Sequence, residues 1–130
     1  MTDSVAVQPD ESNEETVRRF CEAFSRRDID ELIGFFTPNA VYHNIPLPPS
    51  TGTEAIRNSL MAFVPGSPTI EFELVHMASA GPVVFTERID RMTFNWKPVE
   101  LPVAGVFEVE DGKIRAWRDY FDMQMFLGGS

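Results

Sequence analysis

The periodicity of the apolar residues changes along the chain, and this change constrains the fold more than any other feature of the sequence. Before Pro38, the residues Val17, Phe20, Cys21 and Phe24 recur at helical spacing. From about residue 69 onward, the chain consists of runs rich in Val, Ile, Phe and Thr, which are typical of strands. Helices followed by a series of antiparallel strands predict an α+β domain with its helices on one face of a sheet.

The spacing predicts three helices in the first half of the chain. The first begins after a capping box at Ser12, and the second covers 29–36 and is ended by Pro38. The third covers 53–63. Five strands are predicted, at 41–45, 69–78, 83–94, 101–109 and 113–121. The Asp111-Gly112 pair lies between two of them and indicates a hairpin turn.

Composition and charge exclude several classes of function. The length of 130 residues fits one domain. The net charge of -9 argues against a nucleic-acid partner, because phosphate binding requires clustered Lys and Arg. No apolar run approaches the roughly 18 residues of a membrane span. With no secretory signal pattern either, we predict a cytoplasmic protein. One cysteine and two scattered histidines predict neither a disulfide nor a metal site.

The N-terminal residues are acidic and carry no hydrophobic pattern. Asp3, Asp10 and Glu11 lie there without any Lys or Arg. We therefore predict a disordered acidic tail over residues 1–11 and a single domain over residues 12–130.

Polar side chains interrupt the apolar faces of three predicted strands. Because alternate residues of a strand share a face, the pairs are Arg88 with Asp90, Trp117 with Asp119, and Tyr42 with Asn44. The Arg-x-Asp pair alone is compatible with an exposed ion pair of little energetic value. If the helices cover this face, however, a buried arginine requires carboxylates as partners. Two carboxyl groups with different pKa values would then form a general acid and base pair.

Three segments in this order resemble the limonene-1,2-epoxide hydrolase family. They are Tyr42-His43-Asn44-Ile45-Pro46, Glu87-Arg88-Ile89-Asp90 and Trp117-Arg118-Asp119-Tyr120-Phe121-Asp122. The resemblance extends over nearly the whole chain after the tail. It implies a strongly curved mixed sheet with about three helices packed on one face, forming a deep pocket. This is the fold of the nuclear-transport-factor-like superfamily, and the resemblance also implies a homodimer.

The resemblance implies that water is added to an epoxide in one step to give a vicinal diol, with no cofactor and no metal. In this reaction Asp119 would be the general base and Asp90 the general acid. Arg88 would bridge the two aspartates, and Tyr42 and Asn44 would hold the attacking water.

The substrate implied is a small apolar epoxide, and terpene-, lipid- and sterol-derived epoxides all remain open. Five residues share a face or a strand with the proposed triad and are predicted to line an apolar substrate pocket: Trp117, Met92, Leu101, Val103 and Phe121. Trp117 would also support the base from the same strand face.

Two other functions fit the same scaffold. An isomerase or polyketide cyclase could use Asp119 as its base with Tyr42 as a donor to an enolate oxygen, but it would leave the Arg88 bridge unexplained. A non-catalytic ligand-binding domain would have no need of a buried pair of aspartates around an arginine.

Overall fold

The structure is a computed structural model that describes residues 7–127. Within these residues the helices are α1 Glu11–Ala23, α2 Ile29–Ile33, α3 Thr53–Met61 and α4 Met123–Phe126, and a 3-10 turn, Phe24–Arg26, follows α1. The strands are β1 Phe36–Asn44, β2 Ser50–Thr51, β3 Ile70–Ala80, β4 Val83–Phe94, β5 Lys97–Glu110 and β6 Lys113–Tyr120.

All six strands belong to one sheet in the order β2-β1-β6-β5-β4-β3. Strands β3 to β6 form an antiparallel meander, whereas β1 returns to pair with β6 in parallel, so the sheet is mixed. This parallel pairing sets Tyr42 opposite Trp117 and Asn44 opposite Asp119. It therefore brings together two of the three polar pairs noted in the sequence.

The helices pack on one face of this sheet, which confirms the predicted α+β class. Helix α1 lies against β3, β4 and β5, and α3 lies against β1 and β2. Between them is an aromatic core in which the ring of Phe20 lies 4.9 Å from that of Trp117. Trp117 in turn stacks on Tyr42 at 4.1 Å. Among the described residues, no helix is both long and apolar enough to cross a membrane.

Helix α1 begins earlier than predicted. Its N-cap is Asp10 and not Ser12, because the Asp10 carboxylate accepts hydrogen bonds from the backbone N–H groups of Ser12 and Asn13 at 3.0 and 3.1 Å. The backbone N–H of Asp10 also donates to Ser79 Oγ at 2.7 Å, which ties this cap to β3. The folded domain thus begins before residue 12, and the predicted tail from 1–6 lies outside the described residues.

The second helix is shorter than predicted, and Pro38 does not end it. Helix α2 stops at Ile33, and Phe36 already belongs to β1, so the predicted helical end at Phe36 is wrong. Pro38 lies inside β1, where its missing N–H is tolerated because the register with β6 shifts between Phe36 and Val41. Pro38 therefore marks an irregularity within a strand.

Strand β5 is longer than predicted. Its first part contains two prolines, and proline is untypical of strands, so the sequence pattern did not indicate a strand there. It starts at Lys97, four residues before the predicted start at Leu101. Pro98 and Pro102 pair with β4 on one side, but β6 pairs with β5 only from Ala104 onward. Proline is tolerated at such a free strand edge, where no partner requires its N–H. Strand β4 has the predicted bounds, whereas the short elements β2 and α4 were not predicted.

Candidate active site

Arg88 lies at the centre of a buried polar cluster on β4, and none of its surface is exposed. Its Nε and Nη2 donate to the two oxygens of Asp90 at 3.0 and 2.8 Å. Its Nη1 and Nη2 donate to the two oxygens of Asp119 at 3.1 and 2.8 Å. Nη1 also donates to Thr86 Oγ1 at 3.3 Å. All five N–H donors of the guanidinium are therefore satisfied, and Arg88 donates two hydrogen bonds to each carboxylate.

The cluster is charged in spite of its burial. Asp90 and Asp119 are only 3% and 4% exposed, so their charges require a partner. Burial opposes the charge of the arginine, but the two carboxylates more than compensate and raise the pKa of Arg88 well above its ordinary value. The Phe72 ring lies 5.0 Å from the guanidinium carbon and adds a cation–π contact. Arg88 is thus a fixed cation between two acids.

Asp90 has the properties of a proton donor. Burial raises the pKa of its carboxyl to about 6, and the nearby charge of Asp119 acts in the same direction, whereas Arg88 opposes the rise. A carboxyl with such a pKa holds a proton in a much larger fraction of molecules near neutral pH than an ordinary aspartate does. This is the property that general acid catalysis requires.

Asp119 is oriented from two sides and keeps one accepting position free. Its Oδ1 accepts from Arg88 Nη1 and from Trp117 Nε1, the latter at 2.7 Å. Its Oδ2 accepts only from Arg88 Nη2 among the described residues. Because each carboxylate oxygen has two lone-pair directions, Oδ2 retains one that can accept a proton. Trp117 and Arg88 together therefore fix the orientation of the Asp119 carboxylate.

Tyr42 and Asn44 complete the polar cluster from the neighbouring strand β1. Asn44 Nδ2 donates to Tyr42 Oη at 3.0 Å. Burial raises the pKa of Tyr42 far above its ordinary value, and the charge of Asp119 adds to this effect, so the phenol stays neutral. The phenol keeps its own proton for donation, and the Asn44 amide keeps its oxygen as an acceptor. Both groups can therefore hold a water molecule.

A small cavity of about 70 Å³, called here the inner chamber, opens beside this cluster. Six of its lining residues were predicted as site residues, namely Tyr42, Asn44, Asp90, Met92, Leu101 and Phe121. The chamber thus brings Asp90 and the two residues predicted to hold water, Tyr42 and Asn44, next to apolar side chains. Asp119 is not among the lining residues, but it pairs with Asn44 in the sheet.

Two of the predicted substrate-binding residues do not line the inner chamber. Trp117 is fully buried in the aromatic core and contacts the site from below, through its hydrogen bond to Asp119 and its stacking on Tyr42. Val103 is buried on β5 opposite Arg88. In both cases the strand face was inferred correctly, but the depth of the side chain below the cavity was not visible in the sequence.

The sequence did not single out three apolar residues that do line the cavity. Leu47 lies between β1 and β2, Phe63 follows α3, and Phe126 belongs to α4. They also line a second cavity of about 230 Å³, called here the outer chamber, which shares Tyr42 and Asn44 with the inner one. Phe63 is the last residue of the third predicted helix, but its position at a cavity depends on how α3 packs.

Gly105 was likewise not recognised as a site residue, although it controls the geometry of the cluster. It lies on β5, opposite Thr86 of β4 on one side and Asp119 of β6 on the other. A Cβ atom at this position would collide with Arg88 Nη1 and would lie 2.7 Å from Thr86 Oγ1 and 2.9 Å from Asp119 Oδ1. The guanidinium therefore crosses β5 through the space of a missing side chain. A glycine in a strand pattern is the signal that indicates such a close approach.

Other reactive side chains lie outside this cluster. Cys21 is buried in the core on α1, and burial raises the pKa of its thiol to about 12, so it is not a nucleophile near neutral pH. His76 forms an exposed pair with Glu87 at 2.8 Å. Among residues 7–127, no three His, Cys, Asp or Glu side chains are grouped so that they could hold a metal ion.

Comparisons with known proteins identify the family to which the chain is similar. The family model described as the limonene-1,2-epoxide hydrolase catalytic domain matches residues 11–130. The chain is 33% identical over 113 residues to Epoxide hydrolase EphG of Mycobacterium tuberculosis (strain ATCC 25618 / H37Rv), which covers 86% of this chain and 75% of that protein.

Solved structures show the same relationship. An LEH-like epoxide hydrolase of M. tuberculosis superposes with a TM-score of 0.76 at 30% identity, over 91% of this chain and 89% of that one. The epoxide hydrolase/cyclase-like enzyme SalBIII superposes with a TM-score of 0.80 at 22% identity, over 88% of this chain and 93% of that one, which shows a shared fold alone. On the family model and the sequence identity, the chain belongs to the limonene-1,2-epoxide hydrolase family.

Proposed function

We propose that this protein hydrates a small apolar epoxide to a vicinal diol in a single step. Asp119 acts as the general base, Asp90 as the general acid and Arg88 as the bridge between them, while Tyr42 and Asn44 hold the attacking water. One observation carries this proposal. The buried Arg88 donates two hydrogen bonds to Asp90 and two to Asp119, and so orients both carboxylates.

The proposed reaction conserves protons within the cluster. Asp119 removes a proton from the water, whose oxygen forms a bond to one carbon of the ring. The bond between that carbon and the ring oxygen breaks, and Asp90 donates a proton to the nascent alkoxide. Proton return from Asp119 to Asp90 then restores the starting state. Each positioned proton transfer contributes roughly 10²- to 10⁴-fold to the rate.

The polar cluster supports a water site between β1 and β6. Asn44 Oδ1 and Tyr42 Oη offer an acceptor and a donor, and Asp119 Oδ2 offers its free lone pair on the strand paired with Asn44. Water held in this way would be oriented for attack before the substrate arrives. Asp90 lines the inner chamber directly and would meet the ring oxygen there.

The cavities support a small, mainly apolar substrate. The inner and outer chambers, of about 70 and 230 Å³, are each smaller than the roughly 300–1,000 Å³ typical of small-molecule pockets. Met92, Leu101 and Phe121 would contact the carbon skeleton. The homodimer implied by the resemblance and the cytoplasmic location predicted from the sequence pattern both stay predictions.

A single-turnover experiment in water enriched in oxygen-18 tests the reaction. With enzyme in excess over an epoxide, we expect the label in the diol already in the first turnover, because the attacking oxygen comes from water. A covalent ester intermediate would instead transfer an unlabelled carboxylate oxygen first. An unlabelled first-turnover diol would therefore contradict the one-step mechanism, and the absence of turnover across a panel of epoxides would contradict the proposed function.

The same experiment separates the two alternative functions. An isomerase or polyketide cyclase that used Asp119 to form an enolate would exchange a carbon-bound proton of its substrate with the solvent and would form no labelled diol. A ligand-binding domain would bind apolar epoxides without converting them. The cluster favours hydrolysis over the second alternative, because a binding cavity gains nothing from two buried acids around an arginine.

The pKa of Asp90 predicts the pH dependence of the reaction. Since the general acid must hold its proton, kcat/KM is expected to fall as the pH rises above about 6, by about tenfold per pH unit. The measurement is a profile of kcat/KM from below to well above this pH, in buffers of constant ionic strength. A profile that rises through this range would show that Asp90 acts in its deprotonated form and would reverse its role.

A further inference from the structure

The outer chamber has one polar feature that the proposed mechanism does not use. Ser50 on β2 and Ser59 on α3 both line this chamber, and their hydroxyl oxygens lie 2.6 Å apart. Ser50 pairs with Tyr42 across the antiparallel strands β1 and β2, so both side chains lie on the same face of the sheet. The serine pair therefore continues the polar side of the cavity outward from Tyr42.

Hydrogen-bond counting shows that this pair has spare donor capacity. Two hydroxyl groups carry two protons, and the bond between Ser50 and Ser59 uses one of them. Neither side chain has another hydrogen-bond partner among residues 7–127. The second proton therefore remains available to an acceptor in the outer chamber.

The rest of the outer chamber offers few polar groups away from Tyr42 and Asn44. Its other walls are formed by Leu47, Pro48, Ala62 and the rings of Phe63, Phe94 and Phe126. In a largely apolar cavity, a single placed polar pair is what fixes the orientation of a ligand and gives specificity. A ligand that fills the chamber with hydrocarbon alone would displace water from the serine pair without replacing its hydrogen bond.

We propose that the Ser50–Ser59 pair binds an oxygen atom that the substrate carries away from its epoxide ring. The substrate class is then an apolar epoxide with a second oxygen function, such as a carbonyl, ether or hydroxyl group, and not a plain hydrocarbon epoxide. This inference rests on the proposed function, because it assumes that the oxirane lies in the inner chamber beside Asp90.

A matched series of substrates tests this subsite. The reference is a terminal alkyl epoxide, and each member of the series replaces one methylene group of its chain by a carbonyl group at a successive position. We expect one member to have a KM about three- to tenfold lower than the reference with little change in kcat, which is the effect of one neutral hydrogen bond. The preferred position would give the distance from the oxirane to the serine pair.

Variants of the serine pair assign the preference to it. In the double variant Ser50→Ala/Ser59→Ala, the ratio of the KM of the preferred carbonyl member to that of the alkyl epoxide is expected to return to about one. Each single alanine variant keeps one hydroxyl proton that can still be donated, and is expected to keep part of the preference. Ser59→Thr retains a hydroxyl group and is expected to retain the preference. Ser25→Ala, at an exposed serine whose hydroxyl donates to Glu22 O, is the control for loss of a surface hydroxyl.

The outcomes separate this inference from the proposed function. Turnover of the alkyl epoxide with no carbonyl preference at any position would overturn the subsite alone. A preference that survives in full in the double alanine variant would also overturn it. An equal loss on all substrates in these variants would show that the pair delivers water to the site and binds no substrate oxygen. The absence of turnover on every epoxide would overturn the subsite together with the proposed function.

Discussion

Replacing Asp119 by asparagine is expected to lower kcat by about 10²- to 10⁴-fold, and Asp90→Asn is expected to have an effect of the same order. Asparagine has nearly the same shape as aspartate, but its amide can neither remove a proton from water nor donate a carboxyl proton to an alkoxide. The measurement is kcat and KM on an epoxide that the wild type converts, with circular dichroism to show that each variant is folded.

The roles of the two aspartates can be distinguished with substrates whose leaving oxygen differs in basicity. Electron-withdrawing groups on the epoxide stabilise the nascent alkoxide and reduce its need for a proton. They should therefore partly restore turnover in Asp90→Asn, where the acid is missing. No such rescue is expected in Asp119→Asn, which lacks the base. The reverse pattern would exchange the roles of acid and base.

Asp111→Asn is the matched control for these substitutions. Asp111 lies in the turn between β5 and β6, is exposed, and has a positive φ of 51°, a conformation that asparagine also adopts readily. The same change of charge and shape there is expected to leave kcat and KM unchanged. Full activity in either active-site variant would contradict its assigned role.

Gly105→Ala is expected to reduce kcat by about 10²-fold with a much smaller change in KM, because it displaces the guanidinium that orients both aspartates. The added Cβ would meet Arg88 Nη1, Thr86 Oγ1 and Asp119 Oδ1, all of which lie within a rigid, buried network. Overpacking of this kind also costs about 1–3 kcal/mol of unfolding free energy. The measurements are steady-state kinetics and denaturant unfolding of the same preparations.

Gly66→Ala is the control for the change of residue type. No heavy atom lies within 4 Å of a Cβ built on Gly66, and its φ is not in the left-handed region. This variant should keep the activity of the wild type and have equal or greater stability. If Gly105→Ala had an unchanged kcat, the geometry of the Arg88 bridge would not limit catalysis.

Strand periodicity made much of the site predictable. Arg88 and Asp90 are two residues apart on β4, and Trp117 and Asp119 are two residues apart on β6, so each pair had to share a face in any correctly assigned strand. The resemblance to the hydrolase family added the prediction that Arg88 contacts both Asp90 and Asp119. The wrong element boundaries lie where tertiary contacts override a local signal. Pro38 was predicted to end a helix, but it lies inside β1, where the register with β6 shifts.

The sequence by itself determined the class of fold and the identity of the polar residues on each strand, because both follow from local spacing along the chain. Only the tertiary structure decided how these residues meet. The parallel pairing of β1 with β6 places Asn44 beside Asp119, and the missing side chain of Gly105 lets Arg88 reach across β5 to the same aspartate. Contacts between residues far apart in the chain decide which strands become neighbours and how closely their side chains approach. Local periodicity contains no information about such contacts.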